Sequence, residues 1–418
     1  MDPFSIMMNI FICLFIFVTM DQILRPKKPV KRLPPGPWKL PLIGNMHQLV
    51  GSMPHQTLAT LAQNHGPLIH LKTGTVSNIV ISSPRLAEEA LKNNDISFAS
   101  RPAILASKIM SYDSTNIVFS PYGSYWRHLR KICVTELLSA KRVESFRKVR
   151  EEEVLNFINS IALSEGSPIN LSKKIFSLTY GVTSRAAFSG KSRDLEAFIS
   201  IITQFEKLHK EADQILEDII TEHKERRHKP DDDNREEVKD LVDILLDLHD
   251  KGELEFPLSV DNIKAIILDM FSAGSETSSI TVEWTRAELL KNPRIMEKAK
   301  NEVRLVFDGL EDVDEAGIHE LRIIKAASCC ASCPKRMPRG LSARRYIPFG
   351  AGRRTCPGIS FALSNIELPI AQLLFHFDWK LPNGMKPEDL DMTEARGLSI
   401  RRKHELFAVP FAYHPRVE

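Results

Sequence analysis

Phe349-Gly350-Ala351-Gly352-Arg353-Arg354-Thr355-Cys356-Pro357-Gly358 is the stretch that decides how this chain reads. Three glycines around one cysteine describe a tight loop that can come close to a flat partner. Beyond it, Ile359, Ala362, Leu363, Ile366, Ile370, Leu373 and Leu374 recur at helical steps. Cys356 therefore precedes a predicted helix, where the dipole lowers a thiol pKa. A bare cysteine at an apolar helix start is ordinarily core packing. Here the arginine two residues upstream and the flanking glycines suit an iron ligand with a carboxylate clamp nearby.

Working outward, Asp261 to Lys291 carries the longest helical pattern. Ser259 is the expected N-cap and Asn292-Pro293 the expected stop. Ile263, Ile266, Ile267, Met270 and Phe271 share one apolar face. In its middle stands Ala273-Gly274-Ser275-Glu276-Thr277-Ser278. A mid-helix glycine costs about 1 kcal/mol. Gly274 either lets something flat approach the backbone or lets two helices cross closely. Thr277 either opens the ladder to hold a water or bonds back to a carbonyl. Glu276 can relay protons.

The rest of the body is mostly helical by pattern: Leu86 to Asn93, Gly123 to Leu138, Arg142 to Ser164 and Glu206 to Arg227. Short β-like runs occur at Leu68 to Lys72 and Ile79 to Ile81. The charge-dense residues Lys224 to Lys239 read as a solvated loop. No internal repeat is present. These patterns predict a mainly α fold with a small β region.

At the N-terminus, Phe4 to Met20 is apolar except for Ser5, Asn9 and Thr19. At about 1.5 Å per residue it is just long enough to cross a bilayer as a transmembrane helix. Arg25, Lys27, Lys28, Lys31 and Arg32 follow, which keeps the body on the cytosolic side. No basic region precedes the run and no small-residue cleavage site follows it, so an anchor is preferred to a cleaved signal. Leu33-Pro34-Pro35-Gly36-Pro37 reads as a stiff strut, or as a plain linker.

Composition excludes several classes. Of 418 residues, 43% are hydrophobic and 26% charged, which rules out a disordered or multi-span chain. A net charge of +3 argues against a nucleic-acid partner. Six cysteines in this length are no disulfide framework.

Phe349, Gly352, Arg354, Cys356 and Gly358 match every spaced position of Phe-x-x-Gly-x-Arg-x-Cys-x-Gly. This pattern resembles the haem-binding loop of the cytochrome P450 enzymes, the haem-thiolate monooxygenases. Ala273 to Thr277 resembles their oxygen-activation segment, and Trp126-Arg127-His128-Leu129-Arg130 their Trp-x-x-x-Arg helix. The wording of Pro34 to Asn45, Tyr122 to Lys131 and Val260 to Trp284 is similar to terpenoid hydroxylases of the plant seventy-one clan.

The resemblance implies haem b with Cys356 as the iron ligand. Trp126, Arg130 and Arg354 would face the haem propionates, and Phe349 would shield the thiolate. Gly352 and Gly358 would shape the loop, and Thr277 with Glu276 would be catalytic, delivering protons. Electrons would come from NADPH through cytochrome P450 reductase, docked near Arg127, Lys131 and Arg353. A small hydrophobic, terpenoid-type substrate would meet Arg101 to Ser120, Ile266 to Thr277 and Arg396 to Ile400. The chain would be a single-pass protein of the endoplasmic reticulum membrane. Its parts would be an anchor (1–24), a basic, Pro-rich hinge (25–45) and one monooxygenase domain (46–418).

The sequence departs from the pattern twice. Near Gln204-Phe205, roughly thirty residues that cover the substrate pocket in similar enzymes are missing. At 326–345, a segment with Cys329, Cys330 and Cys333, five basic residues and no acidic one stands where a Glu-x-x-Arg helix and a meander are expected. It reads as a frame-shifted or mis-spliced insert replacing roughly eighty residues; a zinc site lacks the partnering ligands. Glu283-Trp284-Thr285-Arg286 and Glu144-Ser145-Phe146-Arg147 have the Glu-x-x-Arg spacing in the wrong place and read as surface pairs. Two alternatives therefore stand beside a terpenoid hydroxylase: a truncated, non-catalytic remnant, and an interaction protein that competes for the reductase.

Overall fold

The computed structural model describes residues 20, 33–51, 53–188, 207–227, 239–252, 254, 256–310, 312–331, 347–397 and 399–413. The apolar run at 4–20 lies outside them except for Met20, as do residues 25–32, the junction at Gln204-Phe205 and residues 332–346. Side chains 327–331 also lie outside the description, so Cys329, Cys330 and Cys333 are not described. Among the described residues no helix is long and apolar enough to cross a membrane. The chain divides into two compact units, 1–98 and 99–418.

In the first unit, helix α1 (Pro54–His65) precedes a hairpin of β1 (Leu68–Thr73) and β2 (Val76–Ile81), paired antiparallel from Leu68↔Ile81 to Thr73↔Val76. Gly74 makes the turn at φ +59°. The Pro-rich strut is docked on this hairpin: the Pro35 carbonyl accepts the His70 N–H at 2.9 Å. A Cβ on Gly36 would lie 2.2 Å from the His70 carbonyl oxygen, so only glycine fits there. The strut is thus part of the unit's structure and no free linker.

The second unit is mainly helical. Its principal helices are α2 (Ser124–Ile132), α3 (Arg147–Ala162), α4 (Leu171–Phe188), α5 (Lys207–Arg227), α6 (Leu241–Lys251), α7 (Val260–Lys291), α8 (Pro293–Val306), α9 (Arg322–Ala331) and α10 (Ile359–His376). Two short strands flank β7 (Phe407–Ala412): β3 (Ile169–Asn170) on one side and β4 (Phe377–Lys380) on the other, both antiparallel. A further pair joins β5 (Glu394–Ala395) to β6 (Arg401–Arg402).

The longest helix, α7, starts as its sequence predicts. The Ser259 hydroxyl accepts the Asn262 N–H at 3.1 Å and Asn262 Oδ1 accepts the Ser259 N–H at 3.0 Å, a reciprocal cap. Asn292 closes it and Pro293 opens α8. Helix α7 packs on α4 and α10, and the core cluster includes Ile263, Ile266, Ile267, Phe271, Leu178 and Ile370. The predicted helix at Arg142 to Ser164 is broken at Phe146, and α2 continues into a wider π-type turn at Cys133–Leu137. Of the charge-dense stretch, Lys224 to Arg227 finish α5 and 228–238 lie outside the described residues.

One expectation is corrected. Glu283 and Arg286 are not a surface pair. Arg286 is 0% exposed, and Glu283 bonds the Ser172 hydroxyl, with Arg402 3.9 Å away. Position 286 falls on the inward side of α7, between the buried Trp284 and Leu289. Glu144 and Arg147 do pair at the surface, 3.6 Å apart.

Candidate active site

The loop ahead of α10 closes on itself. The Phe349 carbonyl accepts the Cys356 N–H at 2.9 Å and the Thr355 hydroxyl at 3.3 Å. Gly350 and Gly352 hold φ +72° and +70°, the left-handed region that favours glycine. Gly358, the N-cap of α10, is under no such constraint, at φ −96°. A Cβ there would touch Leu138 Cδ1 at 3.8 Å and Cys356 Sγ at 4.0 Å. Phe349 is half-buried, as is Cys356.

Arg354 crosses from this loop to the chain ahead of α2. Its Nε donates to the Ala99 carbonyl at 2.7 Å, Nη1 to Ile117 at 3.1 Å and Nη2 to Ser120 at 2.5 Å. Its guanidinium carbon lies 4.2 Å from the centroid of the Trp126 ring. Trp126 is buried and its indole N–H donates to the same Ile117 carbonyl at 3.0 Å. Arg130, one turn further along α2, approaches the Trp126 ring at 5.5 Å. The structure therefore brings Trp126, Arg130, Arg354 and Cys356 together.

Their donors are not equally available. The three donor nitrogens of Arg354 are bound to main-chain oxygens, and so is the indole of Trp126. Arg130 alone has no hydrogen bond or ion pair among the described residues.

The electrostatics are one-sided. Burial lowers Arg354 to about 10, and Arg101 and Arg130 add repulsion. Burial also lowers Arg130, against the pull of Cys133 and Cys356. The expected low thiol pKa does not hold for the protein alone. Burial raises Cys356, and the Gly358 N–H and Arg130 oppose it without prevailing. Helix α10 begins three residues beyond the sulfur, too far for its dipole to outweigh desolvation. A coordinating metal ion would reverse this, because a ligating thiol is deprotonated outright.

A half-buried thiol beside a cation that lacks a counter-ion suits a group carrying both a metal and carboxylates. Haem is such a group, and these residues fit it.

Helix α7 supplies an open face. Ala273 and Thr277 are exposed, one turn apart, although Phe271, Ser275, Ser278 and Ser279 around them are buried. The Thr277 hydroxyl donates back to the Ala273 carbonyl at 2.5 Å, and Thr281 and Thr285 repeat the arrangement below it. Gly274 points elsewhere. A Cβ there would meet Phe361 and Thr183 at 3.4 Å, so this glycine permits close helix crossing. Glu276 accepts from Arg401 on β6 through Nε at 3.2 Å and Nη2 at 2.8 Å.

Sequence reasoning missed Arg401, Asp269 and the carbonyls of Ala99, Ile117 and Ser120. Main-chain acceptors have no residue signature. Asp269 had one, a lone acid among Ile266, Ile267, Met270 and Phe271.

Comparison with known proteins agrees with this geometry. A family model described as Cytochrome P450 matches residues 34–208, 191–327 and 335–408. Cytochrome P450 71D10 of Glycine max is 42% identical over 505 residues, covering 99% of this chain and 98% of the relative. Tabersonine 16-hydroxylase 2 of Catharanthus roseus is 42% identical, covering 96% of each. Premnaspirodiene oxygenase of Hyoscyamus muticus is 38% identical, covering 97% of this chain and 99% of the relative.

A solved zebra fish cytochrome P450 with abiraterone superimposes at a TM-score of 0.76 with 20% identity, over 86% of this chain and 99% of that one. The 505 aligned positions exceed the 418 residues present, so the alignment includes stretches of the relative with no counterpart here. With its family model matched along most of its length, the chain belongs to the cytochrome P450 family, whose members are monooxygenases of the oxidoreductase class.

Proposed function

We propose that the chain is a haem-thiolate monooxygenase that hydroxylates a small hydrophobic, terpenoid-type substrate. The observation that carries this reading is Arg130, a cation without a counter-ion among the described residues, beside Cys356 and Trp126. Haem, when held by a thiolate, supplies the activation of dioxygen and the insertion of one oxygen atom into a C–H bond.

The chain's own residues would do the rest. Cys356 Sγ would ligate the iron, and Arg130 would bind a propionate through a charge-assisted hydrogen bond. Trp126 and Arg354 would wall that side. Arg354 would act chiefly as the brace of the Cys356 loop, since each of its three nitrogens already donates to a carbonyl and only one N–H on each Nη is left over. Phe349 would keep water from the sulfur. The Thr277 hydroxyl, on the open face of α7, would hold a proton-carrying water. Glu276 would pass protons to it, with Arg401 fixing the carboxylate.

The hydroxylases and oxygenase among the relatives support a hydrophobic substrate. NADPH–cytochrome P450 reductase would supply electrons at the face where Arg127, Lys131 and Arg353 are exposed. The apolar run at 4–20 would anchor the chain in the endoplasmic reticulum membrane.

One observation favours a second reading, a non-catalytic remnant. Arg286 Nε and Nη2 and both polar atoms of Asn365 are buried without partners among the described residues, as expected where a packing segment is missing. A single spectrum separates the two. The full chain is expressed with haem precursor, reduced and exposed to carbon monoxide. A strongly red-shifted Soret band, lost in Cys356→Ser, is the expected result, and turnover of terpenes with reductase and NADPH should follow. An unshifted band or no bound haem would leave the remnant as the reading.

A further inference from the structure

We propose that Asp269 is a positioning residue that sets Trp126 and Arg354 beside Cys356 through one shared peptide group. Its connection to haem rests on the reading above; the positioning itself does not.

Asp269 stands on α7, one turn before Ala273. Its Oδ1 accepts from the Asn116 amide at 2.6 Å. Its Oδ2 accepts the main-chain N–H of Ile117 at 3.0 Å and of Val118 at 3.2 Å. Among the described residues it makes no ion pair. All its polar contacts go to the 116–118 turn, which Asn116 closes from the other end by accepting the Phe119 N–H at 2.9 Å.

The Val118 N–H and the Ile117 carbonyl belong to the same peptide plane, which is rigid. Asp269 holds the hydrogen side. Trp126 Nε1 and Arg354 Nη1 hold the oxygen side at 3.0 and 3.1 Å. The plane cannot turn without moving all three groups. A carboxylate on the N–H also polarises the peptide and makes its oxygen a better acceptor. The same turn presents the Ser120 carbonyl to Arg354 Nη2, while the Ser120 N–H bonds the Asn116 carbonyl at 3.2 Å. Two of the three acceptors that hold Arg354 therefore sit on the turn that Asp269 clamps. Arg354 lies two residues from Cys356, so the clamp reaches the sulfur through the loop. Burial pushes Asp269 up to about 7 in spite of its three donors, so its place is held by these bonds against a desolvation cost.

The test uses the full chain and three variants: Asp269→Ala, Asp269→Asn, and Asn116→Asp with Asp269→Asn. In the second variant, one amide oxygen must serve the main-chain N–H groups, and its NH2 faces the Asn116 NH2. The exchange of the two side chains in the third restores a complementary donor and acceptor and keeps one negative charge.

The first readout is amide hydrogen exchange of 116–120 and 349–358, which needs no haem. The second is the rate of haem loss to apomyoglobin. Both single variants should exchange faster in both segments, by about tenfold for each bond of net 1.4 kcal/mol lost. They should also lose haem faster. The swapped pair should return to within a few-fold of the parent. Faster exchange confined to 116–120, or a swapped pair no better than Asp269→Asn, would overturn the proposal. If the parent takes up no haem, the exchange arm still decides the positioning, and the haem reading is what fails.

Discussion

The guanidinium of Arg354 lies 4.2 Å from the ring centroid of Trp126, and both side chains donate to one acceptor, the Ile117 carbonyl. The arginine of the cysteine loop is therefore a strut between two chain segments. Arg354→Lys keeps the charge but loses the planar fork that reaches three carbonyls. Arg354→Leu removes the donors altogether and takes this partner from the Ala99 and Ser120 oxygens, while Ile117 keeps the Trp126 indole. We expect losses of about 1–2 kcal/mol for lysine and about 3 kcal/mol or more for leucine, read from urea unfolding. Leucine should also abolish the red-shifted carbon monoxide band. Equal stability of lysine and parent would show that the fork is not the brace.

Gly352 sits at φ +70° in the same loop. Gly352→Ala adds a Cβ in a conformation that L side chains avoid, which costs about 1–2 kcal/mol. Alanine at Gly358, where φ is −96° and the added atom meets only ordinary contacts, should cost less. Melting temperatures of the two variants, side by side, check the order.

His223 gives the fold a pH dependence. Its Nδ1 donates to the Ile219 carbonyl at 2.8 Å and its Nε2 to the Asp240 carboxylate at 2.9 Å. Both of these partners only accept, so the doubly protonated ring is the form that serves them together. Burial works against that charge, but the Asp240 hydrogen bond and charge and the Ile219 carbonyl prevail, and the pKa is raised above 6.5. Asp243, Arg226 and Arg227 stand around the pair.

A raised histidine pKa means that the folded state binds the extra proton more tightly. The stabilisation is complete below the unfolded value of 6.5 and is lost as pH rises through the folded one. Urea midpoints of the parent should fall across that window, and those of His223→Gln should stay flatter. A parent midpoint independent of pH there would show that the ring is neutral.

How much was legible in the sequence depends on what each residue does. The Ser259 N-cap, the two β-like runs that pair as β1 and β2 and the cysteine loop were all readable. Each is a local pattern of residue types with a local cause. Helix α4 was not readable, because it is buried on nearly every side and carries Thr179, Gly181, Thr183 and Ser184 inside, so no amphipathic stripe marks it. The grouping of Trp126, Arg130 and Arg354 came from a resemblance. Its actual hydrogen bonds came only from the fold, since the acceptors are carbonyls. The Glu283-x-x-Arg286 spacing misled for the opposite reason. It has the form of a surface pair, yet the helix turns Arg286 inward.

That inward turn yields the strongest stability prediction. Arg286 is fully buried, with its guanidinium carbon 4.9 Å from the Trp379 ring centroid and Nη1 3.9 Å from the Met296 sulfur. Among the described residues no carboxylate or carbonyl meets Nε or Nη2. Burial alone depresses its pKa to about 9. A desolvated contact with an aromatic face returns about 2 kcal/mol or somewhat more, whereas an uncompensated buried charge costs several. Desolvation therefore wins, and an apolar side chain of similar length should suit the site better. Arg286→Met keeps the reach toward Met296 and Trp379 and removes the unpaired donors. We expect it to stabilise the full chain by about 2–4 kcal/mol in urea unfolding. Arg286→Ala should gain less, because it leaves a cavity. If methionine instead destabilises the chain by a similar amount, then Arg286 has an acceptor in solution. The segment that supplies that acceptor would then be sought among residues 332–346, by cross-linking or by hydrogen exchange in the two proteins.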